Sequence, residues 1–180
     1  VPPRLPESLG DPAFRNAHGL RYAYVAGEMA NGIASVELVE AMAGAGMLGF
    51  FGAAGLPPAQ VEEAIVRLRE RLDDRPFGVN LIHSPSDPAL EAAHAELLIR
   101  HGVRLASASA YLDLTEHVVR YRVHGIHVGP DGSVVAPNRL VAKVSRTEVA
   151  RKFLSPPPEH LLRALVQRGA ITEEIGRAHV

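Results

Sequence analysis

The chain has 180 residues, with 19 Lys and Arg against 20 Asp and Glu, 47% hydrophobic residues, and neither Cys nor Trp. That length and apolar share suit one ordinary domain with a real core. A formal net charge of −1 and a pI near 6.8 remove the basic footprint of a nucleic-acid binder, and zero Cys excludes a disulfide scaffold, a thiolate metal site and a Cys nucleophile.

Residues 1–19 are rich in Pro and polar side chains and read as an irregular N-terminal arm, with no signal-peptide pattern. Tyr22 to Ala26 is a short apolar run that ends in Gly27. From Ser35 to Ala45 the spacing predicts a helix, with Ser35 as N-cap, Leu38, Val39 and Met42 on one face, and Gly44 or Gly46 closing it. Met47 to Phe51 is the next apolar run. Pro57 and Pro58 open a second helix, in which Val61, Ala64, Ile65, Leu68 and Leu72 recur at helical spacing.

Phe77 to Ile82 is a third run. Asp87-Pro88 opens a third helix that carries Leu90, Ala93, Leu97 and Leu98 and stops at Gly102. Val103 to Ser107 is a fourth strand candidate, followed by a helix from Thr115 to His124. A Pro130-Asp-Gly132 turn joins two short runs between Ile126 and Ala136 as a small hairpin. Leu140 to Val144 is a fifth strand, and Thr147 to Phe153 begins the helix after it.

The tract from Met29 to Leu56 looks apolar, but it carries Glu37, Glu40 and six glycines. A membrane span takes roughly 20 consecutive apolar residues, so the expectation is a cytoplasmic protein with no membrane partner. Five strand–helix repeats with short, non-alternating apolar strands point to an α/β fold with a parallel sheet. A doubly wound sheet and a (β/α)8 barrel both produce this rhythm. A barrel takes about 250 residues, so as a barrel this chain is partial, about the first five βα units, truncated at its C-terminus.

Gly44-Ala-Gly46-Met-Leu-Gly49 matches G-x-G-x-x-G in letters only. A dinucleotide fingerprint runs strand, glycines, helix; here the glycines follow a helix and lead into a strand. Ala26 to Gly32 is better placed, just after the first strand, where βα loops build sites. Small residues there admit a flat ligand or simply make a connection. Asn80, inside Phe77-Gly-Val-Asn-Leu81, must satisfy a donor and an acceptor, through a ligand edge or a structural bond to a neighbouring loop. Lys143 within Leu140–Val144 either meets an anion or polarised ligand atom, or lies in solvent at the strand end.

No metal is assigned. His124-x-x-His127 lacks completing ligands, and His94-Ala-Glu96 lacks the Cys ligands of a zinc deaminase, so most histidines are placed on helix surfaces. Ser107 and Ser109 lack a G-x-S-x-G context. No catalytic residue is assigned.

Several stretches in series resemble one family. They are Tyr24-Val-Ala-Gly27, Met29-Ala-Asn-Gly-Ile-Ala-Ser35, Ala45-Gly-Met-Leu-Gly-Phe-Phe-Gly-Ala-Ala-Gly55 and Pro76-Phe-Gly-Val-Asn-Leu-Ile-His-Ser-Pro85. Gly102-Val-Arg104, Ala108-Ser-Ala110, Val119-Arg-Tyr-Arg122 and Ala142-Lys-Val-Ser-Arg146 continue the series. The family is the PfaD-type trans-acting enoyl reductases of polyunsaturated fatty acid and polyketide synthases. It lies within the wider nitronate monooxygenase (2-nitropropane dioxygenase-like) group of FMN-dependent barrels. The resemblance runs from about Leu20 to Thr172, so residues 20–174 are read as an incomplete barrel domain.

The resemblance implies FMN at the C-terminal mouth of the barrel, with Gly27, Met29 and Ala30 lining the isoalloxazine. Asn80 would bond its polar edge, and Lys143 would lie near its electron-rich side. It implies hydride transfer from NADPH through FMN to an enoyl thioester on an acyl carrier protein. The alternatives are a nitronate monooxygenase-like flavin oxidoreductase and a non-catalytic module that docks carrier proteins. The family's phosphate-binding glycine loops and Gly-Gly-His segment are not in this sequence, and the 180-residue piece alone is expected to be inactive. From Ile175 to Val180 the sequence reads like one translated frame of a sequencing adapter, so residues 175–180 are expected to be a non-native tail.

Overall fold

A computed structural model describes residues 5–177, without the side chains of the last two. The chain folds as two compact units, Val1–Asn80 and Leu81–Val180. In each, parallel strands alternate with helices.

The first unit begins where an irregular arm is expected, and there the structure differs. After a short 3-10 turn at Pro6–Ser8, Pro12–His18 forms helix α1. Asp11 caps it by accepting from the Ala13 N–H at 2.8 Å, Pro12 starts it with a preset φ, and Gly19 ends it in the left-handed region at φ +63°. Pro after an N-cap residue starts a helix rather than breaking one. Residues 1–4 and 178–180 lie outside the described residues, and with them half of the expected non-native tail.

Strand β1 (Val25–Gly27), helix α2 (Val36–Gly44), strand β2 (Leu48–Phe51), helix α3 (Pro58–Leu72) and strand β3 (Phe77–Ile82) follow. β2 pairs in parallel with both β1 and β3, with Gly27 opposite Phe50 and Phe51 opposite Val79. All four residues of β2 are buried. A strand covered on both faces cannot alternate polar and apolar, which is why the run reads as continuous. The expected stripe of α3, Val61, Ala64, Ile65, Leu68 and Leu72, is buried in full. Glu37 meets Arg67 at 2.9 Å and Glu40 meets Arg71 at 3.0 Å, tying the outer faces of α2 and α3. Ser35 accepts from the Leu38 N–H as the sequence suggests.

The second unit carries helix α4 (Pro88–Arg100), strand β4 (Leu105–Ser109), helix α5 (Glu116–Val123), a two-stranded antiparallel hairpin β5–β6 (His127–Val128 and Val134–Val135), strand β7 (Arg139–Ala142) and helix α6 (Thr147–Leu154). Beyond Phe153 the periodicity assigns no element; the structure adds α7 (Glu159–Gln167) and α8 (Glu173–Arg177). β4 and β7 are parallel, with Leu105 opposite Arg139 and Ala108 opposite Ala142. Buried Asn138 donates to the Tyr121 carbonyl at 2.8 Å and accepts from Arg104 at 3.1 Å, fixing where β7 begins. β7 ends at Ala142, short of the expected Val144.

Lys143 and His94 depart from expectation. Lys143 lies one residue past the strand rather than within it, and its exposure at the strand end is the second of its two expected fates. His94 is 1% exposed, not on a helix surface, because Glu91, His94, Ala95 and Leu98 share the inward face of α4. Among the described residues no helix is long and apolar enough to cross a membrane.

Candidate functional site

In the first unit the C-terminal ends of β1 and β2 are laced together by backbone. Asn31 N–H donates to the Ala54 carbonyl at 2.8 Å, Gly32 N–H to Gly52 at 2.9 Å, and Gly52 N–H to Ala34 at 3.0 Å. Two glycines make this possible. A Cβ on Gly27, at φ +116°, would stand 2.2 Å from the Phe50 carbonyl oxygen, and one on Gly52 would stand 1.8 Å from that of Met29. The lacing leaves Gly27, Met29 and Ala30 at the surface, with Met29 51% exposed.

Glu28 between them turns inward and is buried. Its Oε2 accepts from Asn80 Nδ2 at 3.3 Å, and Asn80 is itself 2% exposed. The amide singled out in β3 thus meets a neighbouring loop, one of its two expected fates. Gly27, Met29, Ala30 and Asn80 are brought to one loop cluster through Glu28, a partner the sequence does not announce. Lys143 belongs to the second unit, where its backbone N–H donates to the Ala108 carbonyl at 2.9 Å.

The second unit holds a cluster that sequence reasoning missed. Glu91 of α4 is 2% exposed, and its carboxylate accepts from four donors: His83 Nδ1 at 2.9 Å, Ser84 N–H at 3.3 Å, the Tyr111 hydroxyl at 3.1 Å and the Thr115 hydroxyl. A carboxylate brings no proton of its own, so Nδ1 of His83 is the donor and carries the hydrogen. His83 follows β3, and its N–H reaches the Ser109 carbonyl at the end of β4 at 3.0 Å. Ala110 adopts φ +63°, a costly turn for a residue with a Cβ, and Tyr111 comes next in the chain. Thr115 also caps α5 by accepting from the Val118 N–H.

Tyr111 stacks on His83 with ring centres 5.3 Å apart and meets Phe153 of α6 edge-on at 5.9 Å. Burial, then the Glu91 charge, pushes the Tyr111 hydroxyl above its usual range, so it stays a donor. At the rim, Lys152 meets Asp113 at 2.8 Å and holds that carboxyl below its ordinary range. One signal for this cluster stands in the sequence: Glu91 interrupts the apolar stripe of α4 at the spacing of Ala95 and Leu98. Among the described residues no group of three His, Cys, Asp or Glu side chains could hold a metal ion.

Known proteins resemble the chain over most of its length. A sequence model of the family described as "Nitronate monooxygenase" matches residues 13–152. The chain is 46% identical over 166 residues to a polyunsaturated fatty acid synthase protein of Thraustochytrium sp., covering 92% of the chain and 11% of that protein. It is 44% identical over 167 residues to "Polyketide biosynthesis protein PksE" of Bacillus subtilis, covering 92% of the chain and 22% of that protein. The enoyl reductase domain of MlnA, from the macrolactin biosynthesis cluster of Bacillus amyloliquefaciens, superposes with a TM-score of 0.90 at 40% identity. That match covers 95% of this chain and 39% of the solved one. A point mutant of FabK from Thermotoga maritima, at 20% identity and a TM-score of 0.57, shares the fold. The chain thus spans less than half the length of each of these relatives.

Proposed function

The chain belongs to the nitronate monooxygenase family, and from that premise we propose that it is part of an FMN-dependent enoyl reductase. The enzyme would act in trans on enoyl thioesters carried by acyl carrier proteins in polyketide or polyunsaturated fatty acid synthesis. Its architecture is, in part, that of the TIM-barrel enoyl reductases. The observation that carries the reading is the likeness to the MlnA enoyl reductase domain, 0.90 in TM-score over 95% of the chain. The two biosynthetic proteins among its relatives support the carrier-bound substrate.

FMN, when bound, would accept a hydride from NADPH and pass it to the β-carbon of the enoyl group. The residues present fit such a group. Gly27 and Ala30 offer backbone with little side chain in the way, and half-exposed Met29 offers an apolar edge for a flat ring. Asn80 carries a donor and an acceptor for the ring's polar edge. Its Nδ2 donates to Glu28 at 3.3 Å, so a ligand atom there would share or compete for that donor. By the family resemblance, Lys143, exposed beyond β7, would supply a cation to offset negative charge on a reduced ring.

Purification of an intact reductase containing this chain tests the reading. We expect a yellow protein whose NADPH consumption depends on a carrier-bound enoyl thioester and yields the saturated acyl chain. A colourless, redox-inert protein rejects it and favours a carrier-docking module. The family match itself favours a second reading, oxidation of alkyl nitronates; a yellow protein that consumes nitronates and ignores the thioester would establish that instead.

A further inference from the structure

Within the second unit, strand β7 is bonded on one side. The Arg139 N–H donates to the Arg104 carbonyl at 2.8 Å and the Lys143 N–H to the Ala108 carbonyl at 2.9 Å. In a parallel pair the backbone groups of successive residues face opposite neighbours. Those of Leu140 and Ala142 therefore face away from β4, and among the described residues no strand pairs with β7 on that side. Between Arg139 and Lys143 this edge is apolar, whereas an edge built for water is blunted by charge, Pro or a bulge. A cavity of about 810 Å³ opens beside it, walled by Leu140 and Ala142 of β7, Val118 and Val119 of α5 and Phe153 of α6. Arg122 and Arg139 also line it, and no acidic side chain among the described residues does. Arg122 donates to the Asn138 carbonyl at 2.7 Å, and burial, then the Arg139 charge, pushes its guanidinium below the ordinary value. Two like charges on one apolar wall call for an anion.

We propose that this groove seats a further strand of the intact protein, parallel to β7, with large apolar side chains turned into the cavity and a carboxylate beside Arg122 and Arg139. The strand belongs to the part of the reductase that this chain does not span, since the match to the MlnA domain covers 39% of that solved chain. A parallel neighbour bonds through the backbone groups of Leu140 and Ala142, which sets its register. Protein interiors keep few voids larger than a water molecule, so the occupant fills the groove with several side chains rather than one. Its carboxylate meets the two guanidiniums at the end where β7 begins, in the charge-assisted geometry that arginine favours. This goes beyond the reductase reading and holds whichever substrate the enzyme takes.

The test is amide hydrogen exchange on the intact protein, read residue by residue along β7. The Leu140 and Ala142 amides are expected to exchange within about tenfold of the Arg139 and Lys143 amides, which β4 already holds. Exchange about a hundredfold or more faster at Leu140 and Ala142 means an open edge and overturns the proposal. Protection that is lost on dilution means that a second copy covers the edge, and overturns it equally. The carboxylate is tested by Arg139→Glu, which is expected to speed exchange at Leu140 about tenfold or more while the Lys143 amide stays slow, so that a local opening is told from unfolding. Arg139→Lys is expected to keep Leu140 protected. Unchanged protection at Leu140 in Arg139→Glu overturns the acidic occupant. Flavin colour and thioester reduction are read on the same samples: a colourless, inert protein with a protected edge rejects the reductase reading and upholds this one, and a yellow, active protein with an open edge does the reverse.

Discussion

Glu28 and Glu91 are both acidic side chains withdrawn from solvent, one in each unit, and they are held in different ways. Glu91 sits on a helix and gathers a histidine, a backbone N–H and two hydroxyls from two loops, so each of its oxygens has two named donors. Glu28 sits on a loop between two surface residues and meets the Asn80 amide at 3.3 Å. The first arrangement resembles a keystone: removing it leaves four donors facing a void. The second joins a loop residue to a strand residue within the first unit.

The sharpest way to break this contrast is Glu91→Leu. It strands buried donors as well as deleting the acceptor, and we expect a loss of about 3–5 kcal/mol in urea unfolding. Gly52→Ala ranks next. Its new Cβ, 1.8 Å from the Met29 carbonyl oxygen, can be relieved only by moving backbone, so a cost of about 2–3 kcal/mol and a displaced Met29 loop are expected. Proteolysis at that loop would show the displacement. Thr115→Val removes one donor to Glu91 and the α5 cap together and should cost about 1–2 kcal/mol by the same unfolding measurement. Glu28→Gln should cost less than about 1 kcal/mol, since an amide can still bond Asn80. Should Glu28→Gln prove as damaging as Glu91→Leu, the two carboxylates are equivalent and the contrast fails.

Much of the scaffold was legible because its signals are local. Ser35, Asp87 and Thr115 each cap the helix they precede, and Pro58 and Pro88 start theirs. Strand β3 reads correctly to the residue because Pro76 and the apolar run bound it. The ends of β4 and β7 shift by one to two residues, since their limits are set by partners such as Asn138 that no window of sequence contains. α1 was hidden by treating Pro as a breaker in a position where it initiates.

The family itself was readable from motifs in series, and the match over residues 13–152 agrees with it. The site was read unevenly. Gly27 and Asn80 are conspicuous as odd residues at strand ends, whereas Glu91 gathers partners 7, 8, 20 and 24 positions away. A single acidic residue on a helix ordinarily reads as a solvated face, and only the fold makes it a hub.

The distribution of tyrosines has a practical outcome. Tyr111 and Tyr121 are both at most 4% exposed and lie in the second unit, while Tyr24 of the first unit is 57% exposed. With no tryptophan to mask them, phenol ultraviolet bands become a label-free gauge weighted toward the carboxy-terminal half during a melt, with a smaller share from half-buried Tyr22. Set against far-ultraviolet dichroism, which sums helices from both halves, that gauge will tell an investigator whether the two give way in one transition or in succession.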